Sequence, residues 1–279
     1  MSKRPVRVLL LVVATAVGCG LTWTWWPVAE PVLRGKSLGA WVEQYYDVRV
    51  AGGSGEDALR RKADAQVAIR EIGTNALPAL LRSVAAHDSE IHQRLNSWIK
   101  KIPLLKLDPK TAELRRNRAD WGFSVLGPLG HAGIPELTTL LQHPDPGVRG
   151  TAARCLGHIG PGAEAAIPAI LPLLAERNQG LVILNAMDAL QNIHQQPELV
   201  VPVMLEFLEG SRTEWNYSVP AMNVLSQYKR QATSAIPALK RYLNHAETDK
   251  RNAAYNALNY IDRPLSRTGA SDSKPNLEP

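Results

Sequence analysis

A recurring helical pattern is clearest at residues 148–160, which read VRGTAARCLGHIG. Here Ala152, Leu156 and Ile159 follow one another at i, i+4 and i+7, the spacing that places apolar side chains on one side of an α-helix. Similar segments begin near residues 63, 120, 150, 184, 220 and 253. The chain therefore contains an internal helical repeat.

Three apolar positions define the core side of each repeated helix. The first position is expected at Ala65, Gly122, Ala152, Ala186, Met222 and Tyr255, within a residue of register. The second is expected at Ile69, Leu126, Leu156, Leu190, Leu225 and Leu258, and the third at Ile72, Leu129, Ile159, Ile193, Tyr228 and Ile261. Because only two phenylalanines occur in 279 residues, we expect an aliphatic core between packed helices.

A second helix follows each of the first five segments. Its opening is marked by a proline, at Pro78, Pro135, Pro168, Pro202 and Pro237. Proline suits the first turn of a helix, where its missing N–H would have no partner within the helix. A helix pair that recurs about every 34 residues cannot bury its apolar sides alone, so successive pairs are expected to stack as an all-α solenoid.

The proline openings and the segment 148–160 resemble the HEAT-repeat family, most closely its short bacterial form. The resemblance covers roughly 56–262 and implies a scaffold or protein-binding module rather than a particular reaction. Asp145 with Arg149, and Asp249 with Arg251, resemble the ladder of acidic and basic residues that joins HEAT repeats. Tetratricopeptide repeats share the period, but their Trp, Gly-Tyr and Ala-Phe positions are missing here.

The N-terminal segment has the features of a membrane anchor. Residues 1–7 are basic, and 8–26 form an uncharged run of about the length a helix needs to cross a bilayer, ending in tryptophans. This order predicts a cytoplasmic N-terminus and an exported body. A cleaved secretory signal fits the same pattern. So does a lipoprotein, because Ala16-Val17-Gly18-Cys19 resembles a lipobox in which Cys19 would be acylated.

Further segments surround the repeats. Within 27–55, Ser37 is expected to cap a helix whose core side carries Leu38, Trp41, Val42 and Tyr45. Gly35-Lys36-Ser37-Leu38 followed by Trp41 also resembles the opening of certain anchored bacterial HEAT proteins. An extra helix is predicted at 89–102, inside the solenoid of 56–262. The tail 263–279 has few apolar residues and is expected to be disordered.

Positive charge is concentrated in one region of a chain whose formal net charge is +6. The region combines Arg94, Lys100, Lys101, Lys106, Lys110, Arg115, Arg116 and Arg118 with only two acidic residues. It is a candidate contact for a protein partner, an anionic polymer or lipid headgroups. A solvated helix face is the simpler interpretation. Nucleic acid is an unexpected partner, because the body is predicted to be exported.

No sequence motif indicates catalysis, a metal or a cofactor. The seven histidines form no His-Glu-x-x-His or His-x-His pattern, and no pair of nearby cysteines or Gly-x-Ser-x-Gly turn occurs. Cys155 is expected to be a buried core residue, and His131, His158 and His194 to be polar residues near turns. We therefore expect a non-enzymatic protein. An enzyme or maturation factor of the lyase-type HEAT-like group remains the alternative.

Overall fold

A computed structural model of the chain describes residues 30–50, 55–87, 111–176, 178–210 and 217–262. The predicted anchor at 8–26, the extra helix at 89–102 and the tail 263–279 lie outside these ranges. The chain divides into two compact units, one up to Ala79 and one from Leu80 onward. Helix α3, Leu77–Val84, spans the division.

The first unit opens with a short two-stranded ribbon that the sequence did not indicate. Strands β1, Val32–Leu33, and β2, Lys36–Ser37, are antiparallel and lead into helices α1, Leu38–Val50, and α2, Glu56–Ile72. Ser37 accepts a hydrogen bond from the Ala40 amide at 3.3 Å, as expected of a cap. The predicted core residues of α1, namely Leu38, Trp41, Val42 and Tyr45, are all buried.

The second unit consists of helical pairs. In chain order its helices are α4, Ala112–Leu126; α5, Ile134–Leu140; α6, Pro146–Ile159; α7, Ile167–Ile170; α8, Gly180–Ile193; α9, Pro197–Leu208; α10, Ser218–Tyr228; α11, Ile236–Tyr242; and α12, Thr248–Ile261. Each pair is joined by a turn, usually a short 3₁₀ segment such as Gly160–Ala166.

Successive pairs stack side by side in two layers. Helices α4, α6, α8, α10 and α12 pack in chain order and form the first layer. Helices α5, α7, α9 and α11 form the second layer, and α5, α9 and α11 each pack against the first-layer helix that follows in the chain. This arrangement is the helical solenoid that the repeat predicted, because each pair covers the apolar sides of its neighbours.

A column of buried alanines marks the centre of the repeated helices. In the second unit its members are Ala119, Ala152, Ala186, Ala221 and Ala254, each with no exposed surface, and Ala65 has the corresponding buried position in α2 of the first unit. The alignment predicted Gly122, Met222 and Tyr255 at three of these places, and Tyr255 is instead 60% exposed. A small residue at this point allows adjacent helix backbones to approach closely.

The register predicted for α4 is wrong by three residues. The alignment placed Leu129 in the core, but this side chain is 48% exposed and lies beyond the helix. Helix α4 ends at Leu126, and the Gly127 that follows has a positive φ of 53°, as does Gly160 after α6 with a φ of 79°. The core residues of α4 are consequently Ala119, Phe123 and Leu126.

Four of the five prolines expected to open a helix do so. Pro78, Pro135, Pro168 and Pro237 are each the second residue of a helix. Pro202 instead lies inside α9, because this helix already begins at Pro197. The additional turn lengthens α9 relative to its counterparts in the second layer.

One stretch of the described residues, Pro146–Ala175, is long and apolar enough to cross a membrane by length and composition alone. It comprises α6, a turn, α7 and a 3₁₀ segment rather than one straight helix. Ala163 has non-helical backbone angles within the turn. Its apolar side chains, such as Leu156 and Ile167, are buried in the repeat stack.

Candidate functional site

A buried carboxylate lies in the first layer where α4 meets α6. Asp120 on α4 has only 3% of its side chain exposed and forms an ion pair with Arg154 of α6. His158, one helical turn further along α6, places Nε2 3.0 Å from Asp120 Oδ1. Arg154 and His158 keep 39% and 30% of their side chains exposed. The cluster thus connects a buried charge to the solvent-facing side of the layer.

The helix position of Asp120 is occupied by buried apolar residues in the three first-layer helices that follow α4. Counted from the alanine column, the same position is occupied by Ala153 in α6, Met187 in α8 and Met222 in α10, all of them buried. An acidic residue at a core position is costly unless it is paired. With the register predicted for α4, Asp120 was not expected at a core position, and His158 was expected only as a polar residue near a turn. The cluster was therefore not predicted.

The cluster extends to the next first-layer helix through Asp188 of α8. Partial burial raises the pKa of Asp188, and the nearby charges of Arg154 and His158 oppose that shift. Asp120, Arg154, His158 and Asp188 therefore interact across three successive helices. We name these four residues the charged cluster.

Cys155 is adjacent to the charged cluster but faces the core. Burial, followed by the carboxylate of Asp120, raises the pKa of its thiol well above the usual range, while Arg154 lowers it. A buried thiol that resists ionisation is a poor nucleophile. The structure confirms the expectation that Cys155 is a core residue.

Arginines join consecutive pairs, with partners that differ from those expected. Arg149 donates to both carboxylate oxygens of Glu176, at 2.8 and 2.6 Å, and to the carbonyls of His143 and Pro144. Asp145 instead caps α6 through the Gly147 amide. Its carboxylate also lies 3.6 Å from Arg116. Arg149 therefore bonds to the end of the second helix of its own pair and to the loop before α6, whereas Arg116 reaches Asp145 at the start of the next pair.

The loop before α12 repeats part of this arrangement. Arg251, the counterpart of Arg149, donates to the carbonyls of His245 and Ala246, at 2.8 and 2.6 Å. It also donates to the Thr248 hydroxyl, so in this described loop its acceptors do not include Asp249, the partner that the sequence suggested. A guanidinium fits such loops because it directs several N–H donors toward grouped carbonyls.

The predicted basic region lies mostly outside the described residues. Arg94, Lys100, Lys101, Lys106 and Lys110 fall in the range 88–110. Of the other three, Arg115 is exposed on α4 and Arg118 is half-buried. Arg116 donates to the Ala86 carbonyl at 2.6 Å and has only 14% of its side chain exposed. Arg116 therefore has a structural role between repeats, and anion contact by the region stays a prediction.

The solvent side of the first layer carries a polar pair at i and i+4 on four consecutive helices. The pairs are Arg154 and His158 on α6, Asp188 and Asn192 on α8, Asn223 and Gln227 on α10, and Asn256 and Tyr260 on α12. All eight stand at equivalent positions relative to the alanine column. We call these eight side chains the first-layer face.

Two open grooves lie elsewhere, at the ends of second-layer helices. One, of about 640 Å³, is lined by residues that include His143, Arg149 and Glu176. The other, of about 460 Å³, lies around Tyr242 and His245. Within the described ranges, no group of three or more His, Cys, Asp or Glu residues is placed to hold a metal ion.

The stacked helical pairs define this part of the protein as a helical repeat solenoid. Residues 123–191 match the family model described as HEAT repeats, in agreement with the resemblance that the sequence indicated. No curated protein matches the chain in sequence.

Two crystal structures of engineered proteins from the Northeast Structural Genomics Consortium are similar to the chain. The first is 20% identical, with a TM-score of 0.43, over 79% of this chain and 96% of the other. The second is 19% identical, with a TM-score of 0.41, over 82% of this chain and 68% of the other.

Proposed function

We propose that this protein is a non-enzymatic scaffold that binds a protein partner on the first-layer face and is tethered to a membrane by residues 8–26. The observation that carries the proposal is the succession of polar pairs on four adjacent helices. Stacked repeats offer extended binding surfaces of this kind, and residues on successive helices act together on one partner.

The charged cluster supports this assignment because it orients the face at its α4–α6 end. Asp120 holds Arg154 and His158 from beneath, so that both side chains emerge at the surface in defined positions. A side chain fixed before binding loses less conformational freedom when a partner arrives. Arginine, together with tryptophan and tyrosine, is the residue type most enriched at binding hot spots, and Arg154 supplies an arginine on this face.

The membrane tether is supported by the sequence. The uncharged run 8–26 follows Lys3, Arg4 and Arg7, which is the charge order of an anchor with a cytoplasmic N-terminus. The repeat body would then act on the exported side. Deleting 8–26 should move the protein from the membrane fraction to the soluble fraction, and continued sedimentation with membranes would contradict the tether.

Partner binding can be tested by site-specific photocrosslinking in intact cells. A photoreactive amino acid replaces Asn223 on the first-layer face or, as a matched control, Thr139, which is exposed on α5 of the second layer. We expect one discrete adduct from position 223 and none from 139. Adducts of the same size and yield from both positions, or none from 223, would contradict binding on this face.

A further inference from the structure

The first described residues of the chain are bonded to the start of helix α1. The Glu30 carboxylate accepts a hydrogen bond from the Gly39 amide at 2.8 Å. The next residue, Pro31, accepts one at its carbonyl from the Leu38 amide at 2.9 Å. The two-stranded ribbon β1–β2 follows directly. Glu30 and the ribbon are therefore held in a fixed position relative to α1.

The ribbon presents three exposed side chains. Val32 is 67% exposed, the side chain of Arg34 is 53% exposed, and Lys36 is also exposed. We name these three side chains the ribbon surface. The Trp41 indole supports it from α1, because it donates to the Leu33 carbonyl at 3.1 Å and its ring centre lies 4.5 Å from Lys36 Nζ. One apolar and two basic side chains are thus presented together on a braced ribbon.

The turn of the ribbon contains an arginine where its backbone favours another residue. Arg34 and Gly35 both have a positive φ, of 52° and 75°. Two-residue hairpin turns of this kind prefer Asn-Gly, because most side chains are strained at positive φ. Arg34 pairs with Glu71 at 2.8 Å, but both side chains are about half exposed, and such surface pairs add little stability. Folding alone therefore gives little reason for an arginine here.

The proposed membrane segment ends only a few residues before the ribbon. Residues 27–29 separate Trp26, the last residue of that segment, from Glu30. Even fully extended, the four steps from Trp26 to Glu30 span at most about 14 Å. The headgroup region extends about 5–8 Å beyond the hydrocarbon core on each side. A membrane segment at 8–26 therefore brings Glu30 into the headgroup layer or close above it.

A lipid surface also matches the ribbon surface chemically. Headgroup phosphates are anionic acceptors, and Arg and Lys bind them through charge-assisted hydrogen bonds. Glu71 receives one of the five N–H donors of Arg34, which leaves others for a phosphate. Val32 adds an apolar side chain beside the two cations. Any other partner of this surface would have to fit between the ribbon and the bilayer.

We propose that the ribbon surface binds lipid headgroups on the exported side of the membrane. Arg34 and Lys36 would contact phosphate groups, and Val32 would lie at the boundary with the acyl chains. The inference rests on the proposed membrane tether, and it adds a contact that orients the first unit on the same bilayer.

Quenching by labelled lipids provides a direct test. The full-length protein is reconstituted into vesicles of phosphatidylcholine and phosphatidylglycerol that include a lipid with a nitroxide on its headgroup. A fluorescent dye is attached to a cysteine that replaces Val32, in a Cys19→Ala background. The remaining native thiol, Cys155, is buried and does not compete for the dye.

Leu59 provides the matched control position. It is an apolar residue of the same unit with a similar exposure of 59%. It lies about 18 Å along α2 from Glu71, the residue that pairs with Arg34. We expect the nitroxide to quench the dye at position 32 at least about fivefold more than the dye at position 59. Equal quenching at both positions, or none at position 32, would overturn the proposal.

Substitutions at the turn test the role of the arginine. Arg34→Asn removes the guanidinium but suits the positive φ, so the melting temperature should not fall. Quenching at position 32 should nevertheless decrease at least about threefold, and Arg34→Lys should retain most of it. The control is Arg60→Gln, which removes an exposed arginine of α2 that also pairs with a nearby carboxylate, that of Glu56. Unchanged quenching in Arg34→Asn would show that Arg34 serves only the fold.

Flotation of the same vesicles separates this inference from the tether. If the protein floats with the vesicles but the dye at position 32 is not quenched, the tether stands and the ribbon contact is wrong. If the protein does not float with the vesicles, the tether fails and the ribbon contact fails with it. The Arg34→Asn protein should still float, because the membrane segment is intact.

Discussion

The α4–α6 junction and the α8–α10 junction are equivalent places in the stack, but different chemistry stabilises them. At the first, Asp120 is buried and pairs with Arg154 and His158. At the second, the position of Asp120 is taken by Met187, which is 1% exposed. The counterparts of Arg154 and His158 there are Asn223 and Gln227, which remain exposed. One stacking geometry therefore accepts either a paired charge or an apolar contact, provided that the surroundings match.

The largest expected effect comes from exchanging the chemistry of the two junctions. Met187→Asp removes a buried side chain, which costs about 1.5–3 kcal/mol. It also buries a carboxylate beside neutral amides, which adds a desolvation penalty. We expect the free energy of unfolding to fall by at least about 4 kcal/mol in urea denaturation followed by circular dichroism.

A second substitution sharpens this test. Asn223→Arg supplies the counterpart of Arg154, so it should restore part of the stability of the Met187→Asp protein. Asn223→Arg alone is the control and should change stability little, because position 223 is exposed. If the arginine does not rescue the double variant, pairing is not what allows a charge at this position.

The intervening α6–α8 junction depends on close backbone approach. A Cβ on Gly157 would lie 2.9 Å from the Cα of Ala189, so Gly157→Ala forces the helices apart. We expect a loss of about 1–3 kcal/mol in the same denaturation experiment. At Gly150 the obstacle is the Nδ2 atom of the Asn185 side chain, at 2.8 Å. Gly150→Ala should cost less because that side chain can rotate, and equal losses would contradict a backbone clash at Gly157.

A smaller effect is expected from the polar bond at the α8–α10 junction. The Tyr228 hydroxyl donates to the Gln195 carbonyl at 2.9 Å, across one repeat. Tyr228→Phe should lower the free energy of unfolding by about 0.5–1.5 kcal/mol. Tyr260→Phe is the control, because the ring of Tyr260 is exposed. An unchanged midpoint for Tyr228→Phe would show that water replaces the lost donor without cost.

The smallest effect is expected when the charged junction is made apolar. Asp120→Met copies the residue at the equivalent positions 187 and 222. Arg154 and His158 are partly exposed and can turn to solvent, so the net loss should not exceed about 1 kcal/mol. Asp120→Ala leaves a cavity and should be less stable than Asp120→Met. A loss of several kcal/mol for Asp120→Met would show that the charge pair is needed for stacking.

These comparisons show how far the sequence could predict the molecule. The apolar period and the prolines were sufficient for the helical repeat, because both are local properties of the chain. The register of α4 was misassigned because Gly127 and Gly130 both resemble a helix-ending glycine. Of the two, only Gly127 has the positive φ found at the end of the helix. Once that register is known, Asp120 stands out as an acidic residue at a core position.

The partners of charged residues were harder to predict. Arg149 has an acidic neighbour at Asp145, yet it binds Glu176, which is 27 residues away. Likewise, Arg116 appeared in the sequence as one of eight clustered cations, but it is bonded between repeats. Linear proximity of charges indicates only that a pair is possible, because the packing of helices within and between repeats decides which side chains meet.

Sequence alone established the repeat, its period of about 34 residues and the apolar side of each helix, since these depend on side-chain spacing along one chain. The resemblance to HEAT repeats followed from the same spacing. Tertiary structure decided which carboxylate each arginine reaches, that Asp120 is buried, and that polar pairs of four helices form one face. Those features arise where helices pack, within a pair or between neighbouring pairs, because packing brings residues about 27 to 38 positions apart into contact and desolvates them together.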